Sequence, residues 1–149
     1  MKVLLTASAG GHLAQLIALD KFWKDHDRAW ATFDLPEVRS ALEGERTYWV
    51  HFPTTRNIPN AVRNMGVAWR VLRKERPDAI ISTGAAVAVP FFIIAKILGI
   101  RTVFIEAYDR ITMPTMTGRM CYPMSDLFVV QWDEQKKAFP ESVNIGHIL

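Results

Sequence analysis

Short β-type runs alternate with helix-type segments along the whole of this chain, and that rhythm constrains its fold more than any other feature. Lys2–Thr6, Arg28–Phe33, Thr47–Phe52, Asp78–Thr83, Arg101–Glu106 and Leu127–Gln131 read as strands. Helical patterns fill the gaps, at about His12–Trp23, Pro36–Glu43, Asn60–Glu75, Ala86–Leu98, Thr115–Tyr122 and Glu134–Ala138. Runs such as Val3-Leu4-Leu5 and Ala79-Ile80-Ile81 are apolar at every position, so both faces of the strand must be covered. Parallel strands with helices on both sides satisfy that demand. The expected fold is therefore α/β: a single Rossmann-like, doubly wound parallel sheet over residues 1–149. With 149 residues, 50% of them hydrophobic, the chain is long enough for one real core, and no repeat, low-complexity tract or linker divides it.

In such sheets ligands collect at the carboxyl ends of the strands, where the following loops converge. The first of these loops is Ala7-Ser8-Ala9-Gly10-Gly11-His12. Two glycines at a strand-to-helix turn let backbone approach a ligand, and the free N–H groups of a helix start favour an anion such as a phosphate. His12 adds an imidazole, suited to a general base or a phosphate donor. By spacing alone the turn is equally a plain tight connection.

A dinucleotide site is the obvious rival, because Asp34 ends the second strand 23 residues after Gly11. The G-x-G-x-x-G pattern is missing, however, and Asp34 is better placed to cap the helix beginning at Pro36. Asp25-His26-Asp27 imitates a D-x-D metal site but sits before the second strand, at the opposite edge from the ligand loops. Histidines 12, 26, 51 and 147 have no metal-ligand spacing, and the lone Cys121 excludes an internal disulfide.

Net charge is only +3, which argues for no nucleic-acid partner. The apolar start is too short for a signal peptide, and the run Ala85–Ile100 is broken by Pro90 and Lys96, short of the roughly 20 residues a spanning helix requires. Residues 60–76 are different. On a helical wheel Arg63, Arg70, Arg73 and Lys74 fall within about 100° of arc beside an apolar face of Val62, Met65, Trp69 and Leu72, the pattern of a helix lying on anionic lipid. The apolar segment Ala86–Leu98 reads as buried core or as a second lipid contact.

Two further stretches reach the same edge of the sheet: Ser82-Thr83-Gly84-Ala85-Ala86-Val87-Ala88-Val89-Pro90 and Phe104-Ile105-Glu106-Ala107-Tyr108-Asp109-Arg110. Together with Gly10-Gly11-His12 they make the chain resemble bacterial polysaccharide-biosynthesis proteins of the PssD/CpsF type. These are relatives of the anchoring subunit of the eukaryotic UDP-GlcNAc transferase that acts on dolichol-linked GlcNAc. More distantly the chain is similar to the amino-terminal domain of MurG, from which Gly10, Gly11, His12 and Glu106 carry over. A fuller glycine run and a Glu-Gln-Asn sequence of MurG do not, the latter being replaced by Glu106-Ala107-Tyr108-Asp109.

The resemblance implies half of a GT-B glycosyltransferase, the other half being a separate nucleotide-sugar-binding subunit. The expected substrates are a UDP-sugar held mainly by that partner and a polyprenyl-diphosphate-linked sugar bound here, with no cofactor and no metal. Glu106 and His12 are then the candidate bases, and Gly10, Gly11, Thr83, Gly84, Asp109 and Arg110 the candidate acceptor contacts. Residues 143–149, including Ile145, Gly146, His147, Ile148 and Leu149, are expected to dock the partner at the cytoplasmic face of the membrane. Two other readings stay open: a non-catalytic recruiting scaffold, and an NAD-binding oxidoreductase.

Overall fold

The computed structural model describes residues 1–148. Its strands are β1 (Lys2–Ala7), β2 (Asp27–Phe33), β3 (Thr47–Val50), β4 (Ala79–Gly84), β5 (Arg101–Ile105), β6 (Leu127–Val130) and β7 (Val143–Asn144). All pair parallel, in the order β3-β2-β1-β4-β5-β6-β7. The helices are α1 (Gly11–Ile17), α2 (Asp20–Trp23), α3 (Pro36–Ala41), α4 (Ile58–Glu75), α5 (Ala88–Leu98) and α6 (Met116–Cys121). The doubly wound parallel sheet expected from the sequence is what forms.

Period-two alternation divides the apolar strands between two cores. Leu4, Ala31, Ile80, Phe104 and Phe128 point to the side covered by α4 and α5. Val3, Leu5, Trp30, Ile81 and Ile105 point to the side of Leu13, Leu16, Trp23 and Val38. Phe91 and Phe92 of α5 are fully buried, each contributing about 1.5–3 kcal/mol by leaving water. Most of this helix packs in the core; Ile97 is its exposed large apolar side chain.

Several local expectations are corrected. The first helix breaks at Leu19, because the Trp23 indole N–H turns back to the Leu16 carbonyl at 3.1 Å while its ring packs edge-on against Trp30. The long helix α4 begins two residues earlier than expected: Asn57 accepts the Asn60 N–H as N-cap, and Pro59 occupies the first turn, where no donor is needed. Asp34 does not cap α3. Leu35 holds that position, and Asp34 instead forms a fork with Arg39. Of the apolar face of α4, Leu72 is buried while Val62 and Trp69 are exposed. Residues Asp133–Lys137 form a 3-10 turn in place of an α-helix.

The order of strands reverses between β1 and β4, so the loops that leave their carboxyl ends diverge to opposite sides and open a crevice between them. That crevice is where the functional residues must be sought.

Candidate functional site

The turn after β1 and the end of β4 are tied to each other by His12 and Thr83. His12 Nδ1 lies 2.8 Å from the Thr83 carbonyl, and the Thr83 hydroxyl donates to the His12 carbonyl. A carbonyl can only accept, so Nδ1 carries the proton and a neutral ring leaves Nε2 with its lone pair. Among the described residues Nε2 has no partner. Gly84 makes room for this arrangement, since at φ +104° a Cβ there would stand 3.0 Å from His12 Nδ1. The Ser8 N–H donates to the Gly84 carbonyl at 3.0 Å and locks the two loops at a second point.

Around His12 lies a cleft of about 290 Å³, lined by Thr55, Thr83, Gly84, Arg110, Thr115 and Met116 among others. Gly10 (φ +78°) is the N-cap of α1; it and Gly11 are exposed, with no acidic residue and no side-chain cap in the first turn. Arg110 reaches the cleft, while Asp109 is exposed beside it. Neither side chain has an ion-pair or hydrogen-bond partner among the described residues. The structure thus brings His12, Thr83, Gly84 and Arg110 together, and gives Thr83 the task of holding His12.

Glu106 is placed differently from expectation. It is 1% exposed and takes no part in the cleft lining. Its carboxylate accepts from the Ala107 N–H at 2.9 Å, the Thr115 N–H at 3.0 Å and the Thr115 hydroxyl at 2.8 Å. Thr115 in turn caps α6 by accepting the Gly118 N–H. A Cβ at Gly118 would collide with the Glu106 carboxylate, so a side chain there would displace that group. Burial pushes the Glu106 carboxyl above the ordinary range, against the pull of these donors. It clasps the Ala107–Pro114 loop that carries Arg110, its carboxylate enclosed by these donors.

A glutamine network, which sequence reading missed, fixes the same loop from the other side. Gln15, Gln131 and Gln135 are all buried. Gln131 Nε2 donates to Gln15 Oε1 at 2.7 Å and to the Glu106 carbonyl at 3.0 Å; Gln135 Nε2 donates to the Ala107 and Arg110 carbonyls. The available signal was Gln15, a polar residue between Leu13 and Leu16 that must find partners once buried.

The carboxyl-terminal residues lie on this network. Ile148 N–H donates to Gln131 Oε1, and His147 packs against Trp132 and Tyr108. Ile145 remains 52% exposed. Leu149, expected with them in partner docking, lies outside the described residues. On α4, Val62 and Trp69 are 64% and 43% exposed, with Arg73 over the Trp69 ring and Arg63, Arg70 and Lys74 facing water alongside. No described helix is long and apolar enough to cross a membrane, and the described residues contain no cluster of three metal-ligating side chains.

The seven-stranded parallel sheet, with its helices on both sides, is an α/β fold like the amino-terminal domain of MurG and other GT-B proteins. Residues 42–148 match the model of the family described as "Oligosaccharide biosynthesis protein Alg14 like", and the chain belongs to that family. It is similar to the human UDP-N-acetylglucosamine transferase subunit ALG14, at 24% identity over all of this chain and 83% of that protein. A transferase from Chlorobaculum parvum, named for transferring N-acetylglucosamine to N-acetylmuramyl-(pentapeptide) pyrophosphoryl-undecaprenol, is 30% identical over 52% of this chain and 21% of its own length. Among solved structures, Acinetobacter baumannii MurG superposes with a TM-score of 0.76 at 17% identity, covering 89% of this chain and 42% of that one. Rickettsia bellii UDP-N-acetylglucosamine 2-epimerase gives 0.78 at 16%, covering 99% and 45%. The chain spans less than half of each of these structures, and a transferase and an epimerase share the fold, so the fold alone does not select the reaction.

Proposed function

We propose that this chain is the acceptor-binding, membrane-associating subunit of a two-protein inverting glycosyltransferase. The acceptor is a sugar on a polyprenyl diphosphate, and the donor is a UDP-sugar held mainly by a nucleotide-sugar-binding partner. The observation that carries the reading is the His12–Thr83 pair, which engages Nδ1 and leaves Nε2 without a partner at a cleft that also contains Arg110, unpaired among the described residues.

The acceptor hydroxyl attacks the anomeric carbon from the face opposite UDP, the bond to UDP breaks, and the proton passes to His12 Nε2. Arg110 and the exposed N–H groups at Gly10 and Gly11 hold the acceptor diphosphate, with Asp109 beside the sugar. Family membership supports an oligosaccharide-building role, and the human relative's name describes it as a subunit of a UDP-N-acetylglucosamine transferase. The resemblance to PssD/CpsF-type proteins supports a bacterial capsule or exopolysaccharide setting. The exposed Val62 and Trp69, flanked by Arg63, Arg70, Arg73 and Lys74, support a peripheral position on the cytoplasmic membrane face. Residues 145–149, part of them folded over the loop that carries Arg110, are where the partner docks.

Transfer of sugar to a lipid-linked acceptor by the partner alone, by the pair, and by the pair carrying His12→Ala tests the proposal. The pair is expected to be active and the variant pair to lose at least about 10²-fold in turnover. Full activity of the partner alone, or of the variant pair, refutes a catalytic role and leaves a recruiting scaffold.

A further inference from the structure

A second cavity, of about 540 Å³, opens beside the cleft and shares Thr55, Ala85, Arg110, Met116 and Thr117 with it. Its chemistry is different. Its apolar walls are Ile58 and Ala61 of α4, Val89 and Pro90 of α5, and Met116 and Met120 of α6, with Arg56, Thr54, Thr55 and Thr117 also in the lining. The polar side chains among the lining residues are partly neutralised by their own backbone: Asn57 caps α4, and Asn64 bonds both the N–H and the carbonyl of His51. What faces the space is therefore mainly hydrocarbon and thioether. Ile58, Met116 and Met120 are 78%, 69% and 49% exposed, an unusual grouping of large apolar side chains for a surface with nothing to cover it. Methionine is also the side chain that best adapts to an irregular apolar ligand. The volume lies in the range of small-molecule sites.

The two ends of the cavity indicate what fills it. At the inner end Arg110, shared with the His12 cleft and unpaired among the described residues, provides positive charge. At the outer end Ile58 begins the exposed stripe that continues through Val62 to Trp69, beside the basic residues of α4. A ligand that occupies both compartments has an anionic head in the cleft and an elongated apolar tail, and the tail leaves the protein along the face of α4 that suits a lipid surface.

We infer that this cavity receives the first isoprene units of the acceptor's polyprenyl chain. The protein then grips the lipid on both sides of the diphosphate, and the bilayer holds only the remainder. The inference rests on the acceptor-diphosphate reading above and extends it to the part of the ligand next to the phosphates.

Calorimetry on the chain with two probes, farnesyl diphosphate and inorganic diphosphate, separates the inference from the reading it rests on. Farnesyl diphosphate is expected to bind at least ~30-fold more tightly than inorganic diphosphate, about 2 kcal/mol. Ala61→Trp, which fills the cavity, should abolish that advantage while leaving the affinity for inorganic diphosphate unchanged. Methionine-methyl NMR on the wild-type chain gives a readout independent of any variant's folding: the Met120 signal, from a residue that lines only the second cavity, should move with farnesyl diphosphate and stay still with inorganic diphosphate. Equal affinities for the two probes, or tight farnesyl diphosphate binding with an unmoved Met120 methyl, overturns the prenyl cavity and leaves the diphosphate site standing. Failure of both probes to bind overturns both.

Discussion

The two edges of the sheet handle charge in opposite ways. At the amino edge, where β2 and β3 begin and α4 ends, charged groups are matched with partners. Arg46 holds Glu75 at 2.7 Å and Asp27 at 3.2 Å, the Tyr48 hydroxyl donates to Glu75 at 2.6 Å, and Arg28 with the Trp30 indole holds Glu45. At the carboxyl edge, apart from the Asp34–Arg39 fork, His12 Nε2 and Arg110 at the cleft and the exposed Asp109 beside it have no protein partners among the described residues. One edge closes the fold with ion pairs, and the other keeps its charges available to a ligand.

Each edge also has one buried carboxylate, and the two titrate in opposite senses. Burial opposes ionisation of Glu75, but the Tyr48 hydroxyl and the Arg46 guanidinium outweigh it and hold the group below the ordinary carboxylate range. Its influence reaches back to Tyr48, which burial and the neighbouring carboxylate push up to about 12. Glu106 has only neutral donors, so burial prevails and its carboxyl is raised.

The sharpest way to break the contrast is at His12. His12→Ala should reduce turnover of the reconstituted pair by roughly 10²–10⁴-fold, about 3–5 kcal/mol of barrier, with little change in the urea midpoint. A comparable loss from Glu106→Gln in a fully folded protein would return the base role to Glu106.

Glu75→Ala should do the reverse. It leaves Arg46 and Tyr48 without their shared acceptor and costs about 2 kcal/mol of stability by denaturant titration, while turnover of the folded fraction is retained. Its pH signature follows from the lowered carboxyl: the stability Glu75 confers is complete above the ordinary carboxylate range and is lost as pH falls through the depressed value. Glu75→Gln should remove that acid-side loss.

Glu106→Gln should cost about 1–2 kcal/mol, because the Thr115 N–H meets an amide N–H₂ where it had an acceptor. Here the pH sign is opposite. The folded state retains the proton longer than the unfolded chain, so wild-type stability declines as pH rises from the ordinary carboxylate range through the raised value, and the variant should lack that decline. Thermal melts across that window check it.

The smallest effect belongs to α4. Arg70→Gln and Arg73→Gln should each weaken binding to vesicles containing anionic phosphatidylglycerol by about 1 kcal/mol, near five-fold, without altering stability. Unchanged vesicle binding by the double variant would remove α4 from the membrane contact.

Strand positions, the parallel class and the ligand-bearing edge were legible in the sequence because they depend on local pattern: apolar runs such as Val3-Leu4-Leu5 and glycines at turns. Gly10-Gly11-His12 and the 82–90 stretch could be assigned to one edge for the same reason. What the pattern could not convey was which way a side chain turns once it arrives. Glu106, directly after β5, and His12, in the first turn of α1, reach the same edge of the sheet and both look like bases, yet one is enclosed by Thr115 and Gly118 and the other is held open by Thr83 and Gly84. Those partners lie 9 (Thr115) to 72 (Gly84, 84 − 12) residues away along the chain.

By itself, then, the sequence determined the sheet, the edge at which a ligand must sit, and the basic face of α4, since hydrophobic periodicity and charge spacing act over a few residues. Only the tertiary structure decided that Glu106 is a clasp, that His12 presents Nε2, that a glutamine network fixes the Arg110 loop, and that an apolar cavity adjoins the cleft. Each of those depends on contacts between segments distant in the chain, where burial and hydrogen-bond geometry decide which side chains remain available to a ligand.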